Sequence, residues 1–206
     1  MKIKFCGIRR MEDVALMNEF KPDYVGFVFA ESKRKVTKQT ALVLSNKLKG
    51  GIKTVGVFVN EPLQNLLETA QFCDLDVVQL HGNEDENYIR TIRKSLYNAQ
   101  IWKAVRVTSA EDILTAEKLP VDMLLLDSFS SISYGGTGKV ANLSVIKETD
   151  FQKNFFLAGG LNSENISEIL VGNSPYGVDI SSGIETDGYK DRNKILEIMR
   201  CLECLK

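Results

Sequence analysis

Few side chains in this 206-residue chain are equipped for chemistry, and they recur at one kind of place. Cys6 closes the short apolar run Ile3-Lys4-Phe5-Cys6 and is followed at once by Gly7. A free thiol, with a pKa of about 8.5, is a nucleophile or proton-transfer base near neutral pH when cations or dipoles help it ionise; otherwise it is a small core residue. Asp127 ends another apolar run, 121–126, ahead of a long Gly- and Ser-rich segment. Desolvated, such a carboxyl keeps its proton and acts as an acid; left wet, it caps the turn after it. His81, the only histidine, follows Gln79-Leu80 and could donate to a ligand or cap a loop. Lys33, Arg34 and Lys35 form a basic loop whose arginine has the fork that suits a carboxylate, with a solvated charge run as the plain alternative. Finally, Ala158-Gly159-Gly160 and Asp179-Ile180-Ser181-Ser182-Gly183 each run from a buried strand into small residues. Either could be no more than a tight turn. Two in succession suggest a phosphate cradle, because small residues let N–H groups approach an anion and a helix start adds about half a positive charge.

Other chemistries lack their parts. One histidine and no carboxylate cluster argue against a metal centre. Cys201-Leu202-Glu203-Cys204 has C-x-x-C spacing, but at the end of an amphipathic helix and with no further ligands it reads as packing or tail thiols. There is no G-x-S-x-G elbow, no Ser-His-Asp order and no Walker-type loop; Gly135-Gly136-Thr137-Gly138-Lys139 has the wrong spacing. A net charge of −1, from 26 basic and 27 acidic residues, argues against a dedicated nucleic-acid or anionic-membrane surface. No apolar run approaches the roughly 18 residues of a membrane span, and the start of the chain enters a strand pattern without a signal-peptide core. These features point to a cytoplasmic enzyme with reduced cysteines, built as one domain over residues 1–206.

The elements that must position these groups alternate regularly. Strand patterns cover residues 3–6, 24–29, 52–59, 76–80, 101–107, 121–126, 155–158 and 176–180, and most are continuous apolar runs, as strands buried on both faces should be. Helical periodicity covers 11–20, 37–48, a stretch that Asn60 would cap with Pro62 in its first turn, 109–118, 141–148, 162–170 and 192–204. Asn83 with Glu86 reads as a capping box for the helix after strand four. Residues 25–29 and 55–59 echo one another, which supports a repeated βα unit. Eight strands and about eight helices with no linker close most naturally into a single-domain (β/α)8 TIM barrel. An open doubly wound sheet is the alternative, but Cys6-Gly7-Ile8-Arg9-Arg10 lacks its G-x-G-x-x-G fingerprint. In a barrel, function sits at the C-terminal ends of the strands, and phosphate loops follow strands seven and eight. Cys6, His81, Asp127, Gly159-Gly160 and 179–183 all fall there.

In that order the residues resemble a known family. Lys4-Phe5-Cys6-Gly7-Ile8, Gly26-Phe27-Val28-Phe29 with Ser32-Lys33-Arg34, Gln79-Leu80-His81-Gly82, Leu126-Asp127-Ser128, Gly135-Gly136-Thr137-Gly138, residues 157–162 and residues 177–185 are similar to phosphoribosylanthranilate isomerase of tryptophan biosynthesis. The resemblance spans essentially the whole chain. It implies an Amadori rearrangement of N-(5-phosphoribosyl)anthranilate to 1-(o-carboxyphenylamino)-1-deoxyribulose 5-phosphate, with Asp127 as general acid at the ring oxygen and Cys6 as general base at C2. It places Arg34 on the anthranilate carboxylate, and His81 and Asp179 near the substrate's polar groups. Gly159, Gly160, Ser182 and Gly183 would hold the phosphate, joined by Gly136 and Gly138 of a loop that closes over the substrate. It implies no metal and no cofactor, and a small phosphorylated molecule as partner. Oligomeric state stays open, a monomer being slightly favoured. Three positions depart from the family pattern: Arg9 where Thr is frequent, Lys33 where Pro is common, and Val140-Ala141-Asn142-Leu143 where Phe-Asp-Trp usually follows. The competing readings are a non-catalytic barrel that binds a phosphorylated metabolite, and another phosphosugar barrel enzyme, such as one resembling a ribulose-phosphate epimerase. The first does not explain why both proton-transfer candidates are present. The second usually recruits metal ligands, and one histidine is too few.

Overall fold

The computed structural model describes residues 1–127 and 138–204. Strands β1 (Lys2–Cys6), β2 (Tyr24–Val28), β3 (Lys53–Phe58), β4 (Val77–Leu80), β5 (Gln100–Arg106), β6 (Met123–Asp127), β7 (Phe155–Ala158) and β8 (Gly177–Ile180) pair in chain order, all parallel, and β1 pairs with β8 to close the barrel. Between and after them run α1 (Met11–Phe20), α2 (Lys38–Ser45), α3 (Leu63–Phe72), α4 (Glu86–Ser95), α5 (Ala110–Glu117), α6 (Gly138–Glu148), α7 (Ile166–Leu170) and α8 (Arg192–Glu203). After β8 the chain makes a 3₁₀ turn, Ser182–Ile184, and a hairpin of β9 (Glu185–Thr186) and β10 (Tyr189–Lys190) that the apolar pattern does not announce. Among the described residues, no helix is long and apolar enough to cross a membrane.

Side-chain alternation explains why apolar strands close in this way. Phe5, Phe27, Val78, Leu126 and Ile180 turn outward and join the large cluster shared with the helices, including Val14, Met17, Ile89 and Ile195. Their neighbours turn inward to a smaller cluster. Its floor is aromatic: Trp102 stacks on Phe156 at 4.7 Å, and Tyr24 meets both edge-on at 4.9 and 5.6 Å. Gly177 makes room for this floor. A Cβ there would lie 2.4 Å from the Phe156 ring and 2.7 Å from the Lys2 carbonyl oxygen.

The helix starts show where local pattern yields to long-range bonding. Thr37 caps α2 by accepting from the Thr40 amide, and Asp191 caps α8 by accepting from the Asn193 and Lys194 amides. The expected capping box at Asn83 does not form; Asp85 is the cap of α4 and accepts from the Tyr88 amide. Asn83 is held in the loop instead, its amide donating to Asn60 Oδ1 at 2.7 Å. Asn60 does not cap α3, which begins beyond Pro62; with φ 49° it lies in the left-handed region and its amide donates to Glu84. The helix expected from residue 162 begins only at Ile166. Asn162 Oδ1 accepts from the amides of Glu164 and Asn165, a local turn that competes with helix. Helix α6 begins three residues earlier than the pattern suggests, at Gly138.

Replacing Gly177 with Ala is expected to destabilise the barrel by about 1–3 kcal/mol through overpacking of its floor. A lowered urea midpoint at unchanged m-value would register it; an unchanged midpoint would contradict the packing account.

Candidate active site

Inward parity carries the polar residues as well as the apolar ones. Lys4 and Cys6 alternate with Phe5 on β1, and Gln79 with Val78 and Leu80 on β4. Asp127 ends β6 and Asp179 lies inward on β8, so these groups face one mouth at the C-terminal ends of the strands. Cys6 is 8% exposed. Its register partner on β2 is Gly26, where an added Cβ would come within 2.7 Å of the thiol sulfur. The missing side chain on β2 is the space that Cys6 occupies.

Charged groups surround that thiol. Lys4, wholly buried, donates from Nζ to Asp179 Oδ2 at 2.7 Å across the β1–β8 seam, where the two residues are register partners. Burial works against the ammonium charge, but Asp179 and Cys6 outweigh it and raise the Lys4 pKa. For Cys6, burial pushes the thiol pKa up; Lys4 and Lys190 pull it down and Asp179 pushes it up. Lys190 of β10 donates to Glu185 Oε1 at 2.8 Å and to the Ser181 carbonyl at 3.1 Å. Burial keeps its pKa below the usual lysine value although Glu185 opposes the shift.

Arg34 faces the same carboxylate. Its Nε and Nη2 donate to Glu185 Oε1 and Oε2 at 2.8 and 2.6 Å, a bidentate pair between the loop after β2 and the hairpin after β8. The edge of the guanidinium that suits a ligand carboxylate is therefore half spent on Glu185, which fixes its orientation and leaves Nη1 without a hydrogen-bond partner among the described residues. Glu185 is itself pushed up by burial, but Arg34 and Lys190 prevail and hold its carboxyl below the usual range. Arg9, the departure from the family pattern, adds another tie: it donates to the carbonyls of Lys33 and Gly188, and Arg9 and Arg10 lie over the Tyr189 ring at 4.6 and 3.9 Å.

His81 sits just past β4, exposed at the mouth, with Nδ1 3.3 Å from Gln79 Nε2. The protein around the ring lowers its pKa, and Asp127 acts in the opposite direction. Its loop is anchored from below: Lys103 on β5 donates to the Gly82 carbonyl at 2.5 Å and to Glu84 Oε2 at 2.8 Å. Gln79 Oε1 and Asp179 Oδ1 are buried acceptors with no hydrogen-bond partner among the described residues. Lys4, Gln79, Lys103, Glu185 and Lys190 are the functional candidates that the sequence does not single out. Lys4 and Gln79 were within reach, two residues before Cys6 and His81 and hence on the same strand face.

The two small-residue turns do converge. Gly159 and Gly160 have φ of 102° and 63°. A Cβ on Gly183 would fall 1.8 Å from the Leu161 carbonyl oxygen, so the loops after β7 and β8 touch backbone to backbone. Gly160, Asn162, Ser163, Ser182, Gly183 and Lys194 line an open cleft there. The late start of α7 makes this cradle one of loop backbone, not of a helix beginning at Asn162. Gly138 is the first residue of α6, and Gly136 lies outside the described residues, as does most of the long loop. Cys201 Sγ contacts the Ser163 carbonyl at 3.6 Å, while Cys204 caps the end of α8.

Because Glu185 has a depressed pKa in the folded chain, its contribution to stability is complete above the usual carboxylate range, near pH 4.3, and is lost as pH falls through the depressed value. Glu185→Gln is expected to cost on the order of 3 kcal/mol at pH 7, by stranding the buried Lys190 and unpairing the half-buried Arg34, and to flatten the acid limb of stability. Urea midpoints from pH 7 to 2.5 measure both effects.

Comparison with known proteins supplies a family. A family model described as N-(5'phosphoribosyl)anthranilate (PRA) isomerase matches residues 3–200. The N-(5'-phosphoribosyl)anthranilate isomerase of Thermoanaerobacter pseudethanolicus is 47% identical over 195 residues, covering 95% of this chain and 94% of that one. The enzyme of Endomicrobium trichonymphae is 45% identical over 204 residues, covering 99% of each. Among solved structures, phosphoribosyl anthranilate isomerase from Thermotoga maritima superposes with a TM-score of 0.86 at 34% identity over 99% of both chains. A second isomerase structure, in complex with reduced 1-(o-carboxyphenylamino)-1-deoxyribulose 5-phosphate, gives 0.84 at 32% identity over 99% of both. A barrel closed in sequence order, a thiol and a carboxyl at its mouth and these relatives agree: the chain belongs to the N-(5'-phosphoribosyl)anthranilate isomerase family.

Proposed function

We propose that this mouth carries out the family's reaction with Cys6 as base and Asp127 as acid, rearranging N-(5'-phosphoribosyl)anthranilate to 1-(o-carboxyphenylamino)-1-deoxyribulose 5-phosphate. The observation that carries this assignment is the order of strands around the ring. Proceeding from β6 to β1, the barrel passes Asp127, the two cradle loops after β7 and β8, and then Cys6. A sugar phosphate anchored by Gly159, Gly160, Ser182 and Gly183 therefore has a carboxyl on one flank and a thiol on the other. The chemistry needs that separation. Asp127 gives its proton to the furanose oxygen, the ring opens to a Schiff base, and Cys6 as thiolate takes the proton from C2. The resulting enolamine tautomerises to the ketone. The step is redox-neutral and moves only protons, so it calls for no cofactor.

Binding groups complete the reading. Arg34, held by Glu185, presents its remaining edge to the anthranilate carboxylate. Asp179 Oδ1 is an acceptor for a donor of the substrate, and His81 lies at the rim beside it. The family resemblance adds Gly136 and Gly138 as further phosphate contacts. Every group named comes from one chain, so a monomer suffices, and the cytoplasm is the compartment that fits reduced cysteines and a phosphorylated metabolite.

Cys6→Ser and Asp127→Asn are each expected to lower kcat at least ~100-fold. The loss of substrate fluorescence on turnover measures it, and near wild-type rates in both variants would overturn the assignment.

A further inference from the structure

A base that is 8% exposed has a difficulty: burial favours its neutral, unreactive form. Something must supply charge. Resting on the reading of Cys6 as base, the structure assigns that task to Lys4, a positioning residue whose ammonium is shared between Cys6 and Asp179 at the barrel seam. Lys4 and Cys6 are two apart on β1 and face inward together, and Lys4 is held in place by Asp179 Oδ2 at 2.7 Å. The β2 backbone at Gly26 closes one side of the sulfur, where an added Cβ would come within 2.7 Å of it. Asp179 competes with the thiol for the same ammonium. The more of the Lys4 charge that Asp179 neutralises, the less is left to hold a thiolate.

The groups around the thiol give the pair its sign. From β1 there is Lys4, from β8 Asp179, and from β10 Lys190; the loop after β2 brings Arg34, and Glu185 of β9 neutralises both Arg34 and Lys190. His81, which feels Lys4 and Asp179, stands farther along the mouth. Lys190 and Arg34 share a carboxylate tied to them by three hydrogen bonds. Lys4 meets its carboxylate through one hydrogen bond and leaves Asp179 Oδ1 without a partner among the described residues. It is the cation with charge to spare, and its effect on Cys6 exceeds that of Asp179, which exceeds that of Lys190.

The test reads the thiol directly. Alkylation of Cys6 by iodoacetamide is followed against pH by mass spectrometry of its peptide, with Cys73, Cys201 and Cys204 as internal references. Lys4→Met is expected to move the midpoint upward and slow alkylation at pH 7 about tenfold, the equivalent of one pKa unit, at an unchanged high-pH plateau. Asp179→Asn is expected to move the midpoint downward. Lys4→Met leaves a buried carboxylate unpaired, a penalty on folding in its own right; Lys4→Met/Asp179→Asn removes both charges and is expected to keep a midpoint above wild type. In turnover, Lys4→Met is expected to lower kcat with the basic shift carried into its pH profile. An unchanged midpoint in the lysine variants, or a shift of the same sign in Asp179→Asn, would overturn the assignment, even if kcat falls. Wild-type protein that alkylates as expected yet does not consume N-(5'-phosphoribosyl)anthranilate would refute the proposed reaction and leave the role of Lys4 standing.

Discussion

An ammonium and a carboxylate, both taken out of water, meet where the first strand of this barrel pairs with the last. Desolvating two charges is expensive, and a buried pair rarely outperforms a well-packed apolar pair of the same size. The pair at Lys4 and Asp179 is therefore better understood as a constraint than as a source of stability. Either charge alone would be intolerable at that depth, so the two strands must arrive in one register. Below it, Trp102, Tyr24 and Phe156 exclude water from the barrel; above it lies Cys6. The seam thus separates a hydrocarbon floor from a polar mouth, and its position sets the depth at which chemistry begins.

The mouth divides its work by strand. Odd and even positions on each strand are committed to opposite faces, so a residue's role follows largely from its parity and its distance from the strand's end. Outward positions bind the helical shell; inward ones either fill the floor or reach the rim. Around the rim, the side from β7 through β8 to β2 is dense with backbone approaches and ion pairs. Opposite it, the loop after β4 is supported by the buried Lys103–Glu84 pair. Rigid support beneath both sides is what acid–base catalysis asks of a scaffold, since proton transfer depends on contact geometry.

Much of this was open to reading from residue order, and the limits have physical causes. Strands buried on both faces are continuous apolar runs, and β7 is read to the residue. Cys6 and Asp127 are conspicuous because reactive side chains ending apolar runs are rare. Arg34 reads in sequence as a carboxylate binder or part of a solvated charge run, because its partner Glu185 lies 151 positions away. The pairing of Lys4 with Asp179, 175 positions apart, is hidden for the same reason: only closure brings them together. Caps failed where a competing bond was stronger, as at Asn83, whose amide is taken by Asn60. The helix after β7 was overestimated because Asn162 offers its own side chain to the backbone in place of a helical turn.

Glu185 has a consequence for how this sequence can change. One carboxylate satisfies cations from two separate segments, Arg34 and Lys190. Exchanging Glu185 strands both cations, and exchanging either cation changes how the carboxylate holds the other, so their effects will not add. Positions 34, 185 and 190 form an epistatic block. Drift at the rim must move them together or not at all, even though the chain could otherwise vary each loop on its own.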